Sequence, residues 1–315
     1  MPKLTPFPNA DEIEFKPKYV ERYSKLTDWE TYKKFTLSFL PKSIRINTLK
    51  KSVDEVKQRL SKDWVLEQIP WCKEGFWIEH NRGRLDVGNT KEHNLGYYYV
   101  QESASMIPPI VLDPQPGERV LDLCAAPGSK ASQISQMMNN TGVLVANDVS
   151  GMRIAALGIN LQKLGVLNSI ISQMNGARFK DMEFDRILLD APCSGSGTVR
   201  KSVKTLRMWN SGTIQSIAGQ QKHLIMTAFK LLKKGGVMVY STCSVEPEEN
   251  EGVVTHLLKN CPDAVLDDIN LPLNRTPCLE EFEGEVYHPD VKKCLRLWPQ
   301  DNDTEGFFVA RILKK

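Results

Sequence analysis

The chain has no C-x-x-C pair, no G-x-G-x-x-G fingerprint and no apolar run long enough to span a membrane. Each absence removes a class of protein. Seven cysteines, an odd number scattered from position 72 to position 294, suit neither a disulfide framework nor a tetrahedral zinc site. They fit reduced thiols, a cytoplasmic location and no bound metal. The N-terminal "MPKLTPFPNADEIEF" lacks the basic and then apolar regions of a secretory signal, so neither export nor a membrane partner is expected. Without the glycine fingerprint, a dinucleotide-dependent dehydrogenase is disfavoured. A monomer is the default expectation.

Acid is also missing, but only locally. From Ala191 to Val245 there is no Asp or Glu, against eight Lys or Arg. Beyond Val245 the balance reverses, with fifteen acidic residues against eight basic ones. A net charge of +3 says little by itself, and a run of one sign can be only a solvated face. This run, however, is bracketed by Cys193 and Cys243. If the two thiols act on a polyanion, it would have to lie there.

What is present reads as two regions. A chain of 315 residues, 41% hydrophobic and 25% charged, can hold one large core with a small appended unit. Residues 1–115 open with amphipathic helix in "YVERYSKLTDWETYKKFTLSFL". A small α+β unit follows, with strands at "SIRINT" and "GFWIE" and a helix at "SVDEVKQRLSK". From 116 to 315 strand and helix alternate. "ERVLDLCA", "GVLVANDV", "NSIISQMN", "FDRILLDA" and "VMVYSTCS" are the strands. A long helix is expected to end at Gly235–Gly236, and "LRLWPQDNDTEGFFVARIL" reads as a closing antiparallel hairpin. Repeated βα units imply an α/β fold with a mostly parallel, Rossmann-like sheet covered by helices on both faces.

Such sheets bind ligands beyond the carboxyl ends of their strands. After the first of these strands, Cys124, Ala125, Ala126, Pro127, Gly128, Ser129 and Lys130 form a small-residue turn into a helix N-terminus. Small side chains let a ligand approach the backbone, and the helix end offers free N–H groups. Asp148, twenty residues after Gly128, ends the next strand, where it can accept from a ribose diol. A structural turn with a capping acid is the plainer reading. Asn175 and Asp190 end the following two strands, and Asp190 leads straight into Ala191–Pro192–Cys193. The next strand ends at Thr242–Cys243. A lone free cysteine is usually a small buried hydrophobe. Two at neighbouring strand ends, beside an acid and amid positive charge, point instead to an activated thiolate.

"LDLCAAPGSK", "LLDAPCSGSG" and "YSTCSVEPEENE" together resemble the RNA cytosine-5 methyltransferases of the NOL1/NOP2/Sun family. "IRINTLK", "YYVQESASM" and "RLWPQDNDTEGFFVARI" fit the same pattern, so the likeness runs from about residue 44 to the end. The resemblance implies a methyltransferase sheet with S-adenosylmethionine as cofactor, held by residues 124–130, Asp148, Arg153, Asn175 and Asp190. Asn175 departs from the Asp common there. The likeness implies that Cys243 is the nucleophile and Cys193 the helper in product release, with Asp190 the candidate proton donor toward N3. DNA enzymes attack from the P-C cysteine instead, so the T-C motif favours RNA.

A flipped or loop-presented base needs extra surface to hold the RNA. Arg45 and Asn47 alternate along "SIRINT", while Arg200, Lys201, Lys204 and Arg207 follow the P-C motif, and these six are the expected RNA contacts. The family's basic-proline-acid pattern is only half kept there, since "RKSVKTLRMW" has the charge but no proline. The resemblance suggests an RRM-like N-terminal unit, although no RNP aromatic signature is present. The compact chain favours tRNA over ribosomal RNA. A non-catalytic RNA-binding protein of the same fold, or a methyltransferase with another acceptor, are the alternatives.

Overall fold

A computed structural model describes residues 4–315. The chain opens with two helices, Pro17–Leu26 and Trp29–Thr36. Asp28 caps the second by accepting from the Thr31 amide at 2.9 Å. Their buried faces are aromatic, with Tyr19, Tyr23 and Tyr32 packed beside Trp298 and Val245. The helix pair therefore sits on the C-terminal unit rather than on the small sheet that follows it in sequence.

That sheet is antiparallel and four-stranded, in the order β2-β3-β1-β4. Its strands are β1 Ser43–Ile46, β2 Trp64–Gln68, β3 Gly75–His80 and β4 Tyr98–Val100. Helix Val53–Leu60 begins with a capping box between Ser52 and Glu55. The sequence pattern showed β1 and β3; β2, mostly exposed and irregular in burial, and β4, only three residues long, do not announce themselves.

The alternation in β1 was expected to leave Arg45 and Asn47 facing RNA, and the structure corrects this. All four β1 residues are buried, because the second face lies against the C-terminal unit. Arg45 Nε donates to Gln101 at 3.0 Å, Nη1 to Gln136 at 3.1 Å and Nη2 to the Ser132 hydroxyl at 2.8 Å. Asn47 Nδ2 donates to the carbonyls of Gly96 at 2.8 Å and Leu164 at 2.7 Å. Both side chains are spent joining the two units.

The remaining strands are β5 Arg119–Asp122, β6 Val143–Asp148, β7 Ser169–Gln173, β8 Phe184–Asp190 and β9 Leu232–Thr242. They are followed by β10 Ala264–Asp267, β11 Glu281–Phe282, β12 Glu285–Val286, β13 Leu295–Leu297 and β14 Phe307–Lys314. The large sheet runs β10-β14-β9-β8-β5-β6-β7, with β13 paired to β14. β5 to β9 are mutually parallel and β14 returns antiparallel to β9. This is the Rossmann-like sheet with its closing hairpin. Alternate residues of β8 enter different cores: Ile187 and Leu189 pack in one, Leu188 in the other. Burying each such side chain contributes about 1.5–3 kcal/mol.

One boundary differs from expectation. Helix Ser211–Leu231 ends before the glycine pair, and β9 runs through it. Leu232 already pairs with Phe184. A Cβ on Gly236 would meet the Asp185 carbonyl at 2.8 Å, so the glycine serves strand approach rather than helix termination. Among the described residues no helix is long and apolar enough to cross a membrane.

Arg45→Ala should remove three buried side-chain donor contacts and cost about 3 kcal/mol of stability. Denaturant unfolding checks this, and RNA affinity measured on the folded fraction should be unchanged.

Candidate active site

β5, β6, β8 and β9 end on one edge of the sheet, and the expected site residues gather there. β5 delivers the Cys124–Lys130 turn, and Gly128 takes a φ of +105° as helix Ser129–Met137 begins. Two side chains brace the turn: Arg153 donates to the Ala126 carbonyl and Asn160 to that of Pro127 at 2.8 Å. At the end of β6, Asp148 Oδ1 accepts from the Ser150 amide at 2.9 Å. Its Oδ2 lies 3.3 Å from Arg153 but, although buried, takes no hydrogen bond. Asn175 is exposed at the end of the loop after β7, its Oδ1 capped by the Ala177 amide.

The two thiols meet. Cys193 Sγ and Cys243 Sγ are 3.2 Å apart, on the turns leaving β8 and β9. Asp190 stands beside them, accepting from Ser241 Oγ at 2.7 Å and from Lys130 Nζ at 2.8 Å. Burial opposes the charge on Lys130, yet the Asp190 carboxylate outweighs it and holds the ammonium more firmly protonated than usual. The hydrogen bond with Cys243, then burial and the neighbouring Cys243 sulfur and Glu249 carboxyl group, push the Cys193 thiol well above its ordinary range.

Two cavities open onto this edge. The larger, about 720 Å³, is lined by Asp148, Arg153, Asn175 and both thiols. The smaller, about 380 Å³, is lined by Tyr99, Lys130, Lys201, Glu305 and Phe307. Cys124, Arg153, Asp190 and Cys243 line both, so Cys243 sits where the two meet.

The expected RNA contacts divide. Arg200 is 4% exposed, and it is bound to the carbonyls of Ser38, Phe39 and Thr304 and paired with Asp303 at 2.7 Å. The acid absent from its own segment arrives from the C-terminal hairpin, so Arg200 is structural. Lys201, Lys204 and Arg207 remain exposed, and Lys201 borders the smaller cavity.

The sequence reading missed Asp122, which closes the apolar run "RVLD" just as Asp190 closes "RILLD". It is fully buried with neither carboxylate oxygen hydrogen-bonded at normal geometry. Burial first, and then the Asp190 carboxylate, push its pKa up to about 8 against the pull of Lys130. Glu249 and Glu305 were also missed.

Residues 109–313 match the family described as 16S rRNA methyltransferase RsmB/F, and residues 15–103 match the N-terminal domain of 16S rRNA methyltransferase RsmF. The chain belongs to the RsmB/F family of RNA methyltransferases. A relative from Pyrococcus abyssi, named tRNA (cytosine(49)-C(5))-methyltransferase, is 47% identical over 94% of this chain and 96% of its own. Ribosomal RNA small subunit methyltransferase F of Vibrio vulnificus is 44% identical over 87% of this chain, which spans only 58% of that relative. A methyltransferase homolog from Pyrococcus horikoshii superposes with a TM-score of 0.82 at 36% identity, covering 95% of this chain and all of that one. The RsmB/F methyltransferases are S-adenosylmethionine-dependent, and the larger cavity suits that cofactor. Asp148 Oδ2, ion-paired with Arg153 but without a hydrogen bond, could accept from a ribose hydroxyl, and the buried Asp122 carboxyl group, with no hydrogen bond of normal geometry, could face an ammonium group.

An acid whose folded pKa is raised favours folding when protonated. Its contribution is full below the ordinary carboxylate pKa and is lost as pH rises to about 8. Asp122→Asn should remove that loss, so thermal melts across this range should fall less steeply for the variant than for the parent protein.

Proposed function

We propose that the protein methylates C5 of a cytosine in RNA, using S-adenosylmethionine, with Cys243 as nucleophile and Cys193 assisting release. The observation that carries this is the pair of sulfurs 3.2 Å apart where two cavities meet. The larger cavity would take the adenosine of the cofactor, through Cys124, Asp148, Arg153 and Asn175. The cofactor's methionine end would reach the rest of the 124–130 turn and Asp122 in the adjoining smaller cavity. The smaller would take the flipped base, with Tyr99 and Phe307 as apolar walls.

Cytosine C5 is too weak a nucleophile to act unaided. Addition of the Cys243 sulfur at C6 turns the C5–C6 π pair toward N3, where a proton must arrive. Asp190, hydrogen-bonded to Lys130, can relay one there. The bound cofactor supplies a methyl group made electrophilic by its sulfonium. After transfer N3 gives its proton back through Asp190, the C5 proton leaves to water in the cleft, and the C5–H pair becomes the C5–C6 double bond. The C6–S pair returns to Cys243, and the Cys193 thiol is near enough to hold that thiolate by a hydrogen bond.

tRNA is the favoured substrate, because the relative named tRNA (cytosine(49)-C(5))-methyltransferase is 47% identical to this chain over 94% of it. The family's 16S rRNA members keep ribosomal RNA as the second reading. The exposed Lys201, Lys204 and Arg207 are proposed phosphate contacts.

The test is incubation with labelled S-adenosylmethionine and unmodified tRNA transcripts, followed by mapping of 5-methylcytosine, with cytosine 49 inspected first. Cys243→Ala should give neither product nor adduct, and Cys193→Ala should trap a methylated protein–RNA adduct. A Cys193→Ala protein that turns over normally and leaves no adduct would refute the assignment.

A further inference from the structure

Glu249 lies six residues beyond Cys243, completely buried, and among the described residues no cation forms an ion pair with it. A buried carboxylate is costly unless hydrogen bonds replace its water. Here four donors do so. Oε2 accepts from the Ser194 amide at 2.9 Å and from Gln221 Nε2 at 2.9 Å. Oε1 accepts from Ser244 Oγ at 2.8 Å and from the Ser194 hydroxyl. Ser194 follows Cys193 and Ser244 follows Cys243, so one carboxylate grips the residue next to each thiol. The Gln221 side chain also donates to the Pro192 carbonyl at 2.9 Å, on the other side of Cys193.

Other ties join the two turns. The Gly197 amide donates to the Cys243 carbonyl at 3.0 Å, and the Val245 amide donates to Ser196 Oγ at 3.0 Å. Closer to the thiols, the Ala191 amide donates to the Ser241 carbonyl at 2.8 Å, and Ser194 Oγ lies 3.3 Å from Ser244 Oγ. That hydroxyl pair is the longer contact, and Glu249 makes the shorter links beside both sulfurs by accepting from each of the two hydroxyls. On the reading of the thiols given above, we infer that Glu249 is a positioning residue which fixes Cys193 against Cys243 and so governs release of the enzyme from methylated RNA.

The two halves of the reaction depend on this contact differently. Attack and methyl transfer use Cys243, whose strand is held by β8 and β14. Release needs the Cys193 thiol at the sulfur that regains its electron pair. A misplacement on the scale of an ångström costs on the order of a hundredfold in such a step. Loss of Glu249 should therefore separate one turnover from many.

The experiment compares Glu249→Gln, Glu249→Ala, Cys193→Ala and the parent protein on tRNA transcripts, each with enzyme in excess and with RNA in excess. Denaturing gels detect the covalent adduct. Gln keeps the volume and one acceptor oxygen, so it decides the matter if the Ala variant fails to fold. The expected result is near-normal methylation in the first turnover, a roughly tenfold to hundredfold loss in repeated turnover, and a methylated adduct like that of Cys193→Ala. Normal repeated turnover in Glu249→Gln, or equal loss in both regimes with no adduct, overturns the inference while the Cys193→Ala adduct stands. If Cys193→Ala itself traps nothing, the release reading falls and this inference with it.

Discussion

Asp190 on β8 lies in register with Ser241 on β9 and accepts its hydroxyl at 2.7 Å. Much of the site depends on that pairing. Parallel neighbours end on the same edge, so the turn after each strand must rise beside the other. Cys193, three residues past Asp190, and Cys243, two past Ser241, are thereby carried to contact at 3.2 Å. The same aspartate takes Lys130 from the helix after β5, which brings the cofactor turn to the thiols. An antiparallel β9, or any strand inserted between it and β8, would scatter these groups.

The string "EPEENE" after Cys243 has the composition of a solvated turn. Instead Glu246, Glu249 and Glu251 are all completely buried, and each has its own set of donors. Arg22, Tyr23 and Trp209 donate to Glu246, at 3.0, 2.7 and 2.8 Å. Arg296 pairs with Glu251 at 2.6 Å and also holds the Val245 carbonyl. Breaking a buried pair of this kind typically costs about 3–5 kcal/mol, because the surviving charge is left unsolvated. The N-terminal helices thus have a structural purpose: they bring Arg22 and Tyr23 to an acid of the T-C turn. What looked like a helical lead is part of the floor under the active site.

Much was legible in order along the chain. Repeating βα units gave the sheet, and the acids and cysteines at strand ends marked its working edge. Lys130 was visible as a turn residue but not as the partner of Asp190, since sixty residues separate them. Arg45, Asn47 and Arg200 were misread for one reason. Alternation and local charge report which face of a segment is polar, and they do not report whether that face meets water or another unit. Asp122 carried the same sign as Asp190, an acid closing an apolar run, and could have been found. Glu249 carried no sign, because three of its four hydrogen bonds come from Ser194 and Gln221, far away in sequence.

The sequence by itself determined the fold class and the chemistry available, because residue type and period are local properties that survive without neighbours. Two thiols, an acid beside one of them and a small-residue turn are readable as letters. Only the tertiary structure decided that the two thiols meet, which cations are spent in the interior and which acids face the cavities. Those are matters of distance and burial, set by segments that meet only once the sheet has formed.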